Sequence, residues 1–475
     1  MVFSSLLFLT LFLPIVLTIY LLLPWRLKNL WLLIVSLFFY LWGEPYYGWV
    51  MLLLIFLNYI FGLWLQRSRS SARSIIALAV VVNLSLLIFF KYAHFFADIL
   101  KVVGLNIKFE AIPLPIGISF FTFHALSYVI DVYHHESHVQ KNPVDFGLYI
   151  AFFPQLIAGP IIRYHDIDTQ LAHRKITREK FVYGIERFII GLSKKVLIAN
   201  VLAESANKIF DLSSDSLTPG LAWFGLICYA LQIYFDFSGY SDMAIGLARM
   251  FGFKLLENFN YPYISRSITE FWHRWHISLS NWFRDYLYIP LGGNRKGKVR
   301  TYFNLVTVFF LCGLWHGASW NFIVWGLFYG AILVLERIGV TKFLTTRFNL
   351  IAHVYTLFLV LVAWVFFRTE TLEQSFTFLQ ALFGLASASN QELALSGLLQ
   401  PLTLISLALG ILASTPLVAK IFKSALPLDT ETVSQPSLIS YIVLSFRPLC
   451  FICLMIFCAM RLAAGTFNPF IYFRF

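Results

Sequence analysis

Long apolar runs with no charged residue constrain this chain more than any other feature. They are Met1–Trp25, Pro45–Gln66, Ser74–Phe90, Ala111–Ile130, Phe146–Ile162, Ser216–Phe235, Ile351–Phe367 and Leu393–Ala419. A bilayer-spanning helix takes about 20 such residues. Lipid offers no hydrogen-bond partner to an open peptide group, so these runs must be helical where they cross. The sequence therefore predicts an all-α polytopic membrane protein with roughly ten to thirteen membrane segments, some of them re-entrant. Charged residues make up only 13% of the chain, where a soluble domain would carry roughly 25%. Residues 1–475 read as a single membrane domain, with no soluble domain, long linker, low-complexity tract or internal repeat. Arg26 is the first charge, so Met1–Trp25 lacks the basic start of a signal peptide and reads as a permanent first helix.

The net charge of +12 would point to nucleic acid in a soluble protein. Here it is what positive-inside loops produce, and no nucleic-acid partner is expected. Arg26 with Lys28, then Arg67, Arg69 and Arg73, place alternate connections in the cytoplasm. Arg163–Lys180 is also basic, although simple alternation would put it outside. The conflict resolves if Phe146–Ile162 enters and leaves by one face. Its Phe153-Pro154 and Gly159-Pro160 steps interrupt a helix, which is tolerated at depth only inside protein.

The central third differs from its flanks. Tyr234–Asp242 places two carboxylates beside a span, Phe271–His276 alternates rings with cations, and Arg284–Arg295 is polar and glycine-rich. Such residues cost too much facing lipid. They line a hydrated cavity or tunnel over residues 235–317, or lie at the interface where Trp and Tyr are at home. His316, in Leu314-Trp315-His316-Gly317-Ala318, is near the middle of Thr301–Leu335, a stretch without Asp, Glu, Lys or Arg. An ionisable group at that depth is a functional candidate, and imidazole moves protons near neutral pH. Gly313 and Gly317 allow close backbone approach, either to a substrate or to another helix. Trp320 and Asn321 are within a turn and could donate hydrogen bonds. Asp236 and Asp242 either support a histidine or pair with a cation such as Arg249 or Arg274. Arg284-Asp285 reads as an interfacial pair.

Two clusters read as non-metal. His134, His135 and His138 with Asp131 and Glu136 suggest a solvated loop at a helix end, because spacing alone does not supply convergent geometry. Cys450, Cys453 and Cys458 have no accompanying histidine and read as packing. No metal site and no bound cofactor are expected.

The motifs together resemble the membrane-bound O-acyltransferases, and within them the alginate O-acetyltransferase-like branch. The resemblance runs almost end to end. It includes Pro115–Phe120, Phe153–Pro160, Tyr234–Asp242, Ser267–Trp272, Arg274–Leu279, Arg284–Asn294 and Gly313–Gly317. It implies that His316 is the essential histidine and that His276 is a second one, lining the tunnel or positioning substrate. Where the family usually carries Arg, this chain has His273.

The resemblance also implies the chemistry: acetyl moves from cytosolic acetyl-CoA, a substrate rather than a cofactor, across a bacterial inner membrane to an extracytoplasmic polysaccharide. Alginate, peptidoglycan and other exopolysaccharides remain open as acceptors, and an extracytoplasmic esterase-like (SGNH-type) partner is implied. Arg295, Lys296, Lys298 and Arg300 would attract the phosphates of the donor, although positive-inside bias also produces such a loop. D-alanyl transfer to teichoic acid is the alternative chemistry. A polysaccharide or lipid transporter is the alternative class, which the lack of repeats disfavours.

Residues 438–475 read as a final helix and an acceptor-like tail. Phe470-Ile471-Tyr472-Phe473-Arg474-Phe475 resembles a Phe-x-Tyr-x-x-Phe motif of related acyl-export systems, in which the tyrosine carries the acyl group. Tyr472 is thus a candidate acceptor, and an aromatic belt around the last helix is the other reading.

Overall fold

Every regular element among the described residues is helical, as the apolar runs require. The computed structural model describes residues 2–105, 112–340, 349–385, 395–417 and 438–465. Six helices are long and apolar enough to cross a membrane: Gly48–Arg67, Arg69–Val102, Pro219–Met250, Trp320–Ile338, Asn349–Arg368 and Phe446–Ala463. Phe8–Leu22 and Pro401–Ala413 are shorter apolar helices. The helices that build the site are α1 (Ala72–Val102), α2 (Ile118–His134), α3 (Pro143–Ala151), α4 (Tyr164–Ala172) and α5 (Arg178–Ser193). They continue with α6 (Pro219–Met250), α7 (Ile268–Arg274), α8 (Ile277–Phe283), α9 (Lys298–His316), α10 (Trp320–Ile338) and α11 (Asn349–Arg368).

The core sits on α6. In its most apolar window 78% of residues are buried, compared with 6% for Phe446–Ala463, so α6 is the central helix and the latter is peripheral. The α5–α6 contact is set by two reciprocal glycine pairs. A Cβ on Gly184 would lie 2.7 Å from the Gly246 carbonyl oxygen, and one on Gly246 would lie 2.5 Å from that of Gly184. A Cβ on Gly239 would lie 2.7 Å from the Gly191 oxygen. Ascending numbers on one helix meet descending numbers on the other, so the two run antiparallel at backbone contact. Small residues allow this where no hydrophobic force drives helices together. Gly239→Leu is expected to lower stability by about 1–3 kcal/mol, the usual range for overpacking. The check is the thermal midpoint of the detergent-solubilised chain. Gly220→Ala serves as control, because nothing lies within 4 Å of a Cβ there.

Cations from the same strip of chain neutralise the carboxylates of α6. Lys195 pairs with Asp236 at 2.8 Å, and Arg187 and Lys194 each approach Asp242 at 2.6 Å. The two aspartates are thus ion-paired, but not with the cations the sequence suggested. Arg274 pairs with Glu270 one turn away at 2.9 Å, and Arg249 stacks on the Tyr183 ring. Helical spacing reveals nearby partners, whereas the partner on a packed neighbouring helix depends on tertiary contact.

The segment after α3 is broken and enclosed. Phe152 leaves helical geometry with ψ 108°, a short helix Phe153–Leu156 follows, and all residues from Phe146 to Ile162 are buried. The two ends of this excursion come back together, since Asn29 Nδ2 donates to Asp145 Oδ1 at 2.6 Å and to the Leu171 carbonyl at 2.9 Å.

Thr301–Leu335 is not one span. Two helices, α9 and α10, are joined by Gly317-Ala318-Ser319, so His316 ends a helix instead of occupying its middle. The stretch is uncharged because both arms of a hairpin are apolar. Gly313 and Gly326 face each other, and a Cβ on Gly313 would come within 3.2 Å of the Gly326 Cα. Gly317 lies against the Phe322 ring. Both glycines of the motif thus serve helix packing, the second of the two uses left open for them.

Candidate active site

His276 is the second of the two residues between α7 and α8 and is fully buried, with φ 44°. Only His135 and Tyr261 share positive φ among the described non-glycine residues. Such conformations persist where surrounding structure fixes them and they cluster at functional sites. Asn258 supplies that fixing. Its Oδ1 accepts from the Ser278 amide at 3.1 Å and from Ser278 Oγ at 2.9 Å, which identifies it as the oxygen. The same oxygen is 3.2 Å from His276 Nδ1, so Nδ1 carries the proton and Nε2 keeps a lone pair. Glu336 steadies the preceding helix: its carboxylate accepts from the Ile268 amide at 2.6 Å and the Thr269 amide at 2.9 Å. These are the open N–H groups at the start of α7, where a negative charge is favoured.

His316 is 4% exposed and sits in an aromatic cage. Its ring centroid lies 4.9 Å from Trp315, 5.0 Å from Trp325 and 5.1 Å from Phe367. Trp315 bridges the two histidines, with its ring 6.2 Å from that of His276. On the other side Trp315 stacks with Phe123 at 5.4 Å, and Phe123 stacks with Trp282 of α8 at 3.7 Å. This column ties the His316 turn to the helix that begins after His276.

Around this pair, several buried polar atoms have no hydrogen-bond partner among the described residues: His276 Nε2, His316 Nδ1, the indole nitrogens of Trp272, Trp315 and Trp325, and the Tyr329 hydroxyl. Their rings touch in sequence, with Trp272 5.8 Å from Trp325 and Tyr329 5.1 Å from Trp325. Buried polar groups are ordinarily satisfied, so each such group calls for an explanation. Donors and acceptors concentrated in an apolar chamber suit a polar reacting group: a lone pair to take a proton, and N–H and O–H groups to meet a developing oxyanion.

The remaining sequence candidates sort by position. Asn321 is committed elsewhere, as Nδ2 donates to the Thr369 carbonyl at 2.8 Å and to Ser375 Oγ at 3.2 Å. Trp320 is exposed and packs on Phe95. His273 is exposed. Arg295, Lys296, Lys298 and Arg300 are exposed at the start of α9 and form no ion pair among the described residues. Asp285 pairs with Arg284 at 2.7 Å, as the sequence suggested, and also with Arg163 at 2.5 Å. The expected solvated loop holds at His134, His135, Glu136 and His138, which are exposed, and is corrected at Asp131. Asp131 is fully buried, and it and Glu136 converge on His165, not on His134, His135 or His138. Asp131 accepts from Tyr286 OH at 2.5 Å and from the His165 amide and Nδ1 at 3.0 Å each, and this bond holds the His165 imidazole above its ordinary pKa. Spacing along α2 could not reveal a partner thirty residues away. Cys458 is buried, whereas Cys450 and Cys453 are exposed on the peripheral helix. Tyr472 is outside the described residues.

Sequence reasoning missed Trp325, Tyr329, Phe367, Asn258 and Lys91. For Lys91 a signal existed: it is the single charge that ends the apolar run Ser74–Phe90 inside a helix continuing to Val102.

The profile of the membrane-bound O-acyltransferase family matches residues 19–369. The chain belongs to the membrane-bound O-acyltransferase family. It is 42% identical to a probable alginate O-acetylase of Azotobacter vinelandii over the full length of both chains. It is 37% identical to a peptidoglycan O-acetyltransferase of Helicobacter pylori, over 82% of this chain and 81% of that one. A teichoic acid D-alanyltransferase of Bacillus subtilis is 32% identical, but over only 46% of this chain. The chain is a multi-pass membrane O-acyltransferase.

Proposed function

We propose that this O-acyltransferase takes acetyl from acetyl-CoA on the cytoplasmic side of a bacterial inner membrane and delivers it outward for O-acetylation of a polysaccharide. The acceptor polymer is alginate-like or peptidoglycan, the substrates named for the relatives matched over most of this chain. The observation that carries the reading is the aromatic cluster in which two buried histidines and four hydroxyl or indole groups present polar atoms without a partner among the described residues. His316 takes the proton of an acceptor hydroxyl, and the hydroxyl oxygen attacks the thioester carbonyl. The indoles and Tyr329 donate to the oxyanion, the C–S bond breaks, and the thiolate leaves as thiol with the proton held by His316. The products are an O-acetyl ester and free coenzyme A.

The basic loop Arg295–Arg300 suits the donor's phosphates. Lys298 and His316 are the two ends of α9, eighteen steps apart, about 27 Å at 1.5 Å per residue, so a donor held there reaches the histidines only by a long extended arm. An extracytoplasmic esterase-like partner would finish the transfer.

Inverted membrane vesicles carrying the chain and its partner, given acetyl-labelled acetyl-CoA, are expected to accumulate acetyl ester in their lumen. Right-side-out vesicles given the same donor externally should not be labelled. Equal labelling in both, or labelling from a D-alanyl thioester but not from acetyl-CoA, would reject the reading.

A further inference from the structure

Lys91 is a charge in a membrane-crossing helix with no carboxylate within ion-pair distance among the described residues. Its ammonium donates to the Trp315 carbonyl, lies 3.4 Å from Ser119 Oγ, and sits 5.7 Å from the centroid of the Trp315 ring. The cations of the α5 strip differ in kind, because Arg187, Lys194 and Lys195 all have aspartate partners. An intramembrane cation is expensive, and something must compensate it.

The compensation is the end of α9. The last carbonyls of a helix have no partner within it, and together they carry roughly half a negative charge. Here two neighbouring side chains of α1 take two of them: the Tyr92 hydroxyl donates to the Leu314 carbonyl, and Lys91 donates to that of Trp315. The next residue is His316, the last of the helix. α1 and α9 are therefore fastened at the one turn that carries the imidazole, and Ser119 brings the start of α2 to the same point.

We propose that Lys91, assisted by Tyr92, is a positioning residue that holds the His316 turn in its reactive placement by capping the final carbonyls of α9. This rests on the reading of His316 as the proton acceptor. Lys91 itself need not touch the substrate. Its removal leaves the Trp315 carbonyl open and frees the turn, and misplacement of a reacting group by about 1 Å can cost about 10²-fold in rate.

The test uses the full-length chain in proteoliposomes with labelled acetyl-CoA, comparing Lys91→Met, Lys91→Arg, Tyr92→Phe and His316→Ala at equal amounts of folded protein. Lys91→Met is expected to lower kcat about 10- to 100-fold with KM for the donor unchanged. Lys91→Arg, which keeps a donor and the charge, should recover at least about tenfold of that loss. Tyr92→Phe removes one hydroxyl and should lower kcat by a smaller factor, and it carries the test if Lys91→Met does not fold. Wild-type kcat in Lys91→Met or Tyr92→Phe would overturn the proposal. So would a rise in KM alone, which would make Lys91 a substrate contact, or a Lys91→Arg as impaired as Lys91→Met. Retained activity in His316→Ala would instead reject the reading on which the proposal rests.

Discussion

Replacing His316 with alanine should reduce acetyl transfer by about 10²–10⁴-fold, the usual contribution of a positioned proton acceptor. The protein should still insert and accumulate, because the cage around the ring is formed by Trp315, Trp325 and Phe367, which remain. The His316 imidazole makes no hydrogen bond to the described residues, so the substitution breaks no internal network. His276→Ala should cost less, about 10- to 100-fold, by loosening the turn that Asn258 and the φ 44° backbone fix. The comparison decides between two assignments, since His276 Nε2 is an oriented lone pair and could itself receive the proton. Single-turnover rates and donor affinity of the two variants, measured on equal amounts of folded protein, check this. A dead His276→Ala beside an active His316→Ala would exchange the roles.

Tyr472→Phe should abolish delivery of acetyl to the outer polysaccharide. The argument is chemical. A phenol has a pKa near 10, so its ester keeps enough transfer potential to pass acetyl to a second acceptor, which a serine ester would do less well. The substitution keeps ring, size and apolar contacts and removes only the nucleophile. In the wild type, mass spectrometry of the C-terminal peptide after a pulse of labelled acetyl-CoA should find a transient acetyl on Tyr472. Full polysaccharide acetylation in Tyr472→Phe would leave the aromatic motif as an interfacial belt and send acetyl directly from the chamber to the partner.

What the sequence made legible followed from local rules. Apolar runs gave the helical membrane class, and the Pro and Gly steps at Phe153-Pro154 and Gly159-Pro160 gave the broken, enclosed segment. The chemistry of an uncharged stretch containing His316 marked a site. Local rules failed where tertiary contact decides. Composition cannot distinguish one uncharged span from a hairpin of two, so the middle of the stretch, where His316 sits, is the end of a helix. The acceptor of an Asn321 amide and the cation facing Asp242 are on other helices. The indole of Trp325 gains its meaning only beside His316, because a tryptophan in an apolar helix otherwise reads as packing. Lys91 was the missed opportunity, since a lone charge at depth is itself a signal.

The paired glycines of α5 and α6 restrict how anything can cross this protein. With backbone against backbone at Gly184–Gly246 and Gly191–Gly239, sliding either helix by one residue would drive a side chain into the other's peptide groups. A Cβ at Gly191 would already fall 2.7 Å from the Met243 nitrogen, and one at Gly246 equally close to the nitrogen of Phe188. Helices sheared or rocked past one another are the usual means of alternating access, and this core has no such freedom of register. A joint bolted in this way rules out shear between α5 and α6, so the acidic face of α6 and the cations that pair with it stay in fixed register.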